Sequence, residues 1–418
     1  MQTHQRLQRR LGVFDATAIG LGSMLGAGVF VVFSPATALA GRLMIVSVLI
    51  AGAIAYCNAV ASAQLAAKYP ASGGTYVYGR KQLGEWPGFI AGWGFVTGKT
   101  ASCAAMALTF GHYVAPDYAT PLAVAAVAVL TAVNLMGITR TALLTRILLG
   151  LVLATLVFVA AAGLTGPHPD PLASAQSPGN AWGILPAAGL MFFAFAGYAR
   201  IATLGEEVKD PSRTIPRAIL AALAAAFVIY LGLAALLLWH LSPGRLADSL
   251  SPLLDAVALS GFSAGGPFVQ AGAAAACLGA LLALITGVGR TALAMARERD
   301  LPVALARVHG RHTVPVAAEL SVAAAVVLLL VTTDVLTVVG FSSFGVLIYY
   351  SVTNAAAFTL AERPGSAPRW LNAAGFAGCL ILAFTLPLGS VLGMAAVLAA
   401  GVAGRFLALR FRKRPPGA

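Results

Sequence analysis

The sequence predicts an all-α polytopic membrane protein of twelve transmembrane helices. Three observations predict it. Of the 418 residues, 59% are hydrophobic and only 10% are charged. Apolar runs of about 18 residues or more, the length a helix needs to cross a bilayer, recur from end to end. The charged residues collect in the short segments between those runs. A transmembrane β-barrel would show short alternating segments instead.

The twelve spans lie near 12–36, 43–66, 88–113, 119–136, 142–164, 183–205, 215–240, 267–296, 315–333, 335–360, 369–389 and 391–410. Only "LPLGS" separates the last two. An even number of spans puts both termini on one side. The side follows from lysine and arginine, which are retained on the cytoplasmic face. One set of loops carries Arg9 and Arg10, Arg80 and Lys81, Lys209 and Arg213, Arg297 and Arg299, and the tail from Arg410. The opposite loops carry Arg42 and Arg245 among several aspartates. Residues 1–11 and 411–418 are therefore expected as cytoplasmic tails in the cytoplasmic membrane. "MQTHQRLQRR" is basic, but the run behind it has no cleavage site, so it reads as a tail and not a signal peptide.

The formal net charge of +13 would suggest nucleic acid in a soluble chain. Its placement in membrane loops assigns it to topology and lipid head groups, with no nucleic-acid partner. Cys57, Cys103, Cys277 and Cys379 lie in apolar runs without metal-ligand spacing. Neither a metal, a cofactor nor a disulfide is expected. The six histidines scatter over tail, loops and span ends, and an enzyme would need a polar cluster at one depth. A channel would need a continuous polar lining along several spans, which is absent.

Span 1 contains "GLGSMLGAGVF", with four glycines between Gly20 and Gly28. Glycine weakens helices. In mid-membrane, a broken helix is tolerated only where its backbone lines a cavity or meets a ligand. Close helix packing through Gly22 and Gly26 is the other explanation. Span 6 reads "LMFFAFAGYARIATLGEEVKDPSRTIPRAI", and there Ala194, Ala196 and Gly197 interrupt an aromatic run. If spans 1–5 and 6–10 are two halves, spans 1 and 6 correspond. Such a pair of interrupted helices points to a transporter site built from inverted repeats. A half-helix N-terminus suits a carboxylate, and a half-helix C-terminus suits an ammonium. A fold of two six-span halves would need a break in span 7, which shows none.

These stretches, with "YPASGGTYVYGR" and "GRTALAMARERDLP", resemble the amino acid–polyamine–organocation (APC) superfamily of transporters. The resemblance runs in order over nearly the whole chain. It implies a 5+5 inverted-repeat core of the LeuT type plus two C-terminal helices, and alternating access to a midplane site. The repeats would be 12–164 and 183–360, with the additional helices at 369–410.

The resemblance also implies site residues. The amides of Gly26, Ala27 and Gly28 would receive the substrate carboxylate. The carbonyls of Met24, Phe193 and Ala196 would receive the α-ammonium. Phe193 and Phe195 are candidates for an aromatic gate. Cys103, Ser102, Ser23 and small alanines would form the pocket walls.

Lys99 is the outlier. It lies about twelve residues into span 3, or roughly 18 Å deep at the helical rise. A charge there costs at least about 2.5–3.5 kcal/mol and calls for a partner or a role. Three roles are open: a titrating ammonium replacing a coupling sodium, recognition of a substrate anion, or a structural cation held by carbonyls. Some relatives carry a lysine in span 5 instead. Here that stretch reads "RILLGLVLATLVF", without one. The acidic residue often found after the span 6 break is replaced by Ala199 and Arg200. Glu206 and Glu207 are candidates for an inner gate with Lys68, Arg213 or Arg290. Thr286 is a weak candidate for a sodium site, since its hydroxyl is expected to bond back to its own helix.

The expectation is a secondary transporter of amino acids, coupled to protons or working by exchange. A neutral amino acid is favoured, because no acidic residue is placed for a cationic side chain. Amines and organic acids are the alternative substrates.

Overall fold

The computed structural model describes residues 11–69, 74–136, 142–166, 179–202, 208–307, 314–365 and 367–412. The chain runs α1 Val13–Met24, α2 Gly28–Val31, α3 Phe33–Ala40, α4 Met44–Lys68, α5 Gly74–Leu83 and α6 Glu85–Val114. There follow α7 Ala119–Leu135, α8 Ala142–Thr165, α9 Ile184–Phe195, α10 Ala199–Ala202, α11 Pro211–His240, α12 Pro243–Asp248 and α13 Pro252–Leu259. The last five are α14 Gly266–Arg297, α15 Val316–Thr332, α16 Val335–Phe358, α17 Arg369–Thr385 and α18 Leu388–Arg412.

Among the described residues, nine helices or helix runs are long and apolar enough to cross a membrane. Two shorter apolar helices, α15 and α17, have 17 residues each. Helix α6 has 30 residues, enough for about 45 Å at the helical rise. The protein is thus a polytopic helical membrane protein. Helices satisfy their backbone internally, which lipid demands.

Helix α6 is the axis of the bundle, packed on α14 on one side and α16 on the other. Small residues permit this. A Cβ on Gly98 would sit 3.2 Å from Gly345 Cα, and one on Gly92 2.8 Å from Met295 Sδ. Close backbone approach is how helices bind one another where lipid is as apolar as the helix surface. Helix α4 packs on α9 and α11. Helix α1 packs on α11, and its Asp15 pairs with Arg146 of α8. At the start of α1, the Leu11 carbonyl accepts from Lys209 N–H at 2.9 Å. This bridge holds the entry to α1 beside the segment that leads into α11.

Outside the apolar helices, α5 lies against α6 and α16. Asp300, beyond the end of α14, is buried and accepts from Arg80 at 2.8 Å, Tyr76 at 2.8 Å and Arg405 at 2.7 Å. Burial, and then the hydrogen bond to Asp300, push the Tyr76 phenol above its ordinary range. It donates as a neutral hydroxyl. Arg405, from α18, also reaches Glu85 at 3.2 Å and lies over the rings of Trp86 and Phe89.

Candidate functional site

Two helix interruptions meet inside the bundle. Helix α1 stops at Met24 and α2 starts at Gly28, leaving Leu25, Gly26 and Ala27 between them. Helix α9 stops at Phe195, Ala196–Tyr198 form one 3-10 turn, and α10 resumes at Ala199. The second interruption is thus a tightened turn and not an unwound stretch. A single 3-10 turn redirects carbonyls while keeping most of the ladder.

Glycine lets the two interruptions touch. A Cβ on Gly28 would lie 2.7 Å from Ala194 Cα, and one on Gly197 2.5 Å from the Met24 nitrogen. Neither space admits a side chain. A Cβ on Gly26 would lie 2.8 Å from the Ala280 methyl of α14, whereas one on Gly22 would meet nothing within 4 Å. Gly22 and Gly26 therefore do not form a common small-residue contact; the close approaches belong to Gly26 and Gly28.

The last carbonyls of a helix have no partner of their own within it. Here side chains reach them. The Tyr230 hydroxyl of α11 donates to the Met24 carbonyl at 2.7 Å and the Ala194 carbonyl at 3.1 Å. Lys99 Nζ donates to the Ala196 carbonyl at 3.3 Å.

A cavity of about 70 Å³ opens where these groups converge, room for several water-sized groups. Ser23, Met24 and Gly28 supply one wall, and Phe193, Ala196 and Gly197 the facing one. Helix α6 contributes Phe95, Lys99, Ser102 and Met106, and α14 contributes Ala280, Ala283 and Thr291. The Ser102 and Ser342 hydroxyls are 2.6 Å apart. Lys99 is 7% exposed and has no acidic partner among the described residues. Arg200 lines the same cavity, and no acid does among the described residues.

The sequence-derived candidates divide. Met24, Gly28, Phe193, Ala196 and Lys99 line the cavity. Gly26, Ala27 and Cys103 lie behind its surface, Ala27 and Cys103 fully buried. Phe195 is placed differently from the expected gate. Its ring is fully buried, edge-on to Tyr230 at 5.0 Å and near Phe227 at 6.4 Å. Two residues along the helix from Phe193, it lies about 200° around the helix axis, on the opposite side. Phe95 stands in the cavity wall instead. Thr286 bonds back to the Leu282 carbonyl at 3.3 Å. The pairing expected of Glu206 and Glu207 lies outside the described residues.

Sequence reasoning missed Tyr230 and the position of Arg200. Tyr230 had a signal, as the single phenol within the apolar run "FVIYLG". Arg200 was visible only as a departure from a familiar pattern.

The amino acid permease family matches residues 11–401 of this chain. The chain belongs to that family. It is a permease of the APC superfamily, as the motifs of spans 1 and 6 implied. An uncharacterized transporter of Mycobacterium tuberculosis is 53% identical over 416 residues, 98% of this chain and 94% of that protein. The chloroplastic cationic amino acid transporter 7 of Arabidopsis thaliana is 28% identical, over 88% of this chain and 68% of that one. A branched-chain amino acid permease of Bacillus subtilis is 26% identical, over 74% and 71%. The family and these relatives make the permease a multi-pass membrane transporter.

Proposed function

We propose that this permease is a secondary active transporter that moves amino acids across the cytoplasmic membrane by alternating access. The observation that carries the reading is the meeting of the two interrupted helices at a cavity inside the bundle. In this reading the nine apolar spans, with α6, α15 and α17, make twelve crossings. Helices α1–α8 and α9–α16 form two five-span repeats, α17 and α18 are additions, and both termini are cytoplasmic.

The substrate α-carboxylate meets the amides of Gly26, Ala27 and Gly28. The α-ammonium meets carbonyls of Met24, Phe193 and Ala196. Two of these already accept one hydrogen bond, from Tyr230 and Lys99, but a carbonyl has two lone pairs. Phe193 and Phe95 are the aromatic groups placed to cover a bound molecule. Transport is driven by protons or by exchange.

The test is uptake of labelled amino acids by purified protein in liposomes preloaded with unlabelled amino acids, with and without an inward proton gradient. Uptake that needs the gradient supports proton coupling, and uptake that needs internal amino acid supports exchange. Saturable uptake of no amino acid under either condition would sink the reading.

A further inference from the structure

Lys99 carries an inference that rests on the transport reading above and narrows its substrate. The residue is 7% exposed and lines the cavity, and its ammonium donates one hydrogen bond, at 3.3 Å, to the Ala196 carbonyl. An ammonium has three donors. Among the described residues the other two have no acceptor, and no carboxylate is near. The Cys103 thiol lies one turn along α6 from it. A buried ammonium with unfilled donors is unfavourable, and an anion would both pair its charge and fill those donors.

The remaining walls point the same way. Arg200 also lines the cavity, and no acid does among the described residues. A cationic side chain would meet like charge from Lys99. A neutral side chain would leave the free Lys99 donors dry. Ser102 sits nearby on α6 with its hydroxyl engaged by Ser342, and it brings no negative charge.

We infer that the preferred substrate is an amino acid with an anionic side chain, whose second acidic group pairs with Lys99 inside the cavity. Lys99 can hold the Ala196 carbonyl and the substrate at once, because the donors differ. The sequence favoured a neutral substrate for want of an acid near the site. The structure adds that basic groups alone stand at the cavity among the described residues.

The test is uptake by the full-length protein in liposomes of labelled L-glutamate, L-aspartate, L-leucine, L-lysine and succinate. Glutamate or aspartate should be taken up in preference to leucine and lysine. Lys99→Gln should lower kcat/KM for the acidic amino acid at least about 30-fold more than it lowers kcat/KM for leucine, the loss for one partner of a buried charge pair. Elution and thermal stability like the wild type would show that this variant folds. Should it not fold, Ala283→Asp on the α14 wall provides the second arm, and should exclude acidic amino acids by repulsion. Leucine or lysine uptake without uptake of acidic amino acids would overturn the inference and leave amino acid transport standing. Succinate uptake without any amino acid uptake would overturn both the inference and the amino acid reading. Uptake of none of the five would overturn the inference.

Discussion

Tyr230 shares one hydroxyl proton between two carbonyls, 2.7 Å from Met24 and 3.1 Å from Ala194. Those carbonyls end α1 and stand near the end of α9. One side chain from α11 therefore ties the two interruptions together. Tyr230→Phe keeps the ring against Phe195 and removes only the donor. Leaving buried acceptors unsatisfied costs about 1–3 kcal/mol, so a lower melting temperature in detergent and slower uptake are expected. Unchanged values in both assays would remove Tyr230 from this role. Glycine acts at the same scale through volume. Gly26→Leu and Gly28→Leu should abolish uptake while the protein still inserts in the membrane, because Ala280 and Ala194 occupy the space a side chain would need. Normal transport by both variants would refute the site assignment. Ala196→Trp should also stop uptake, by filling the cavity.

Elements outside the cavity determine how its walls are held. Helix α6 supplies Lys99 and is wedged between α14 and α16 by glycine contacts. The Asp300 cluster joins α5, the start of α6, the segment after α14, and α18. Arg405 is its most buried cation, with two carboxylate partners and two aromatic faces. Arg405→Leu removes one partner of a buried pair, a change that typically costs about 3–5 kcal/mol. A clear drop in thermal stability of the purified protein is expected, larger than for Arg410→Leu, whose guanidinium lies over Phe406 on the same helix. Equal stability of the two variants would show that the cluster does not hold α18 to the rest.

At the scale of the whole molecule, the proposed cycle couples cavity chemistry to a gradient. If Lys99 carries the coupling proton, Lys99→Ala should leave residual uptake that no longer varies with pH. A pH profile of uptake in liposomes that keeps its wild-type shape would assign Lys99 to substrate binding or structure alone. The helical, membrane-spanning class was legible in the amino acids, because the bilayer imposes a length and an apolarity that composition displays directly. So were the two interruptions, since "GSMLGAG" and "AFAG" put small residues where a continuous helix has no need of them. Spacing along one helix says little about which face meets which neighbour on another. Phe193 and Phe195 are two residues apart and look alike in sequence, yet one lines the cavity and the other packs behind it on Tyr230. Gly22 and Gly26 look like a pair, yet only Gly26 has a neighbour to accommodate. The chain alone determined that a permease-type bundle forms and where its helices are interrupted. Tertiary packing decided which carbonyls Tyr230 and Lys99 occupy and that Arg200 joins Lys99 at the cavity, because those partners lie tens of residues or more apart and meet only when the helices pack.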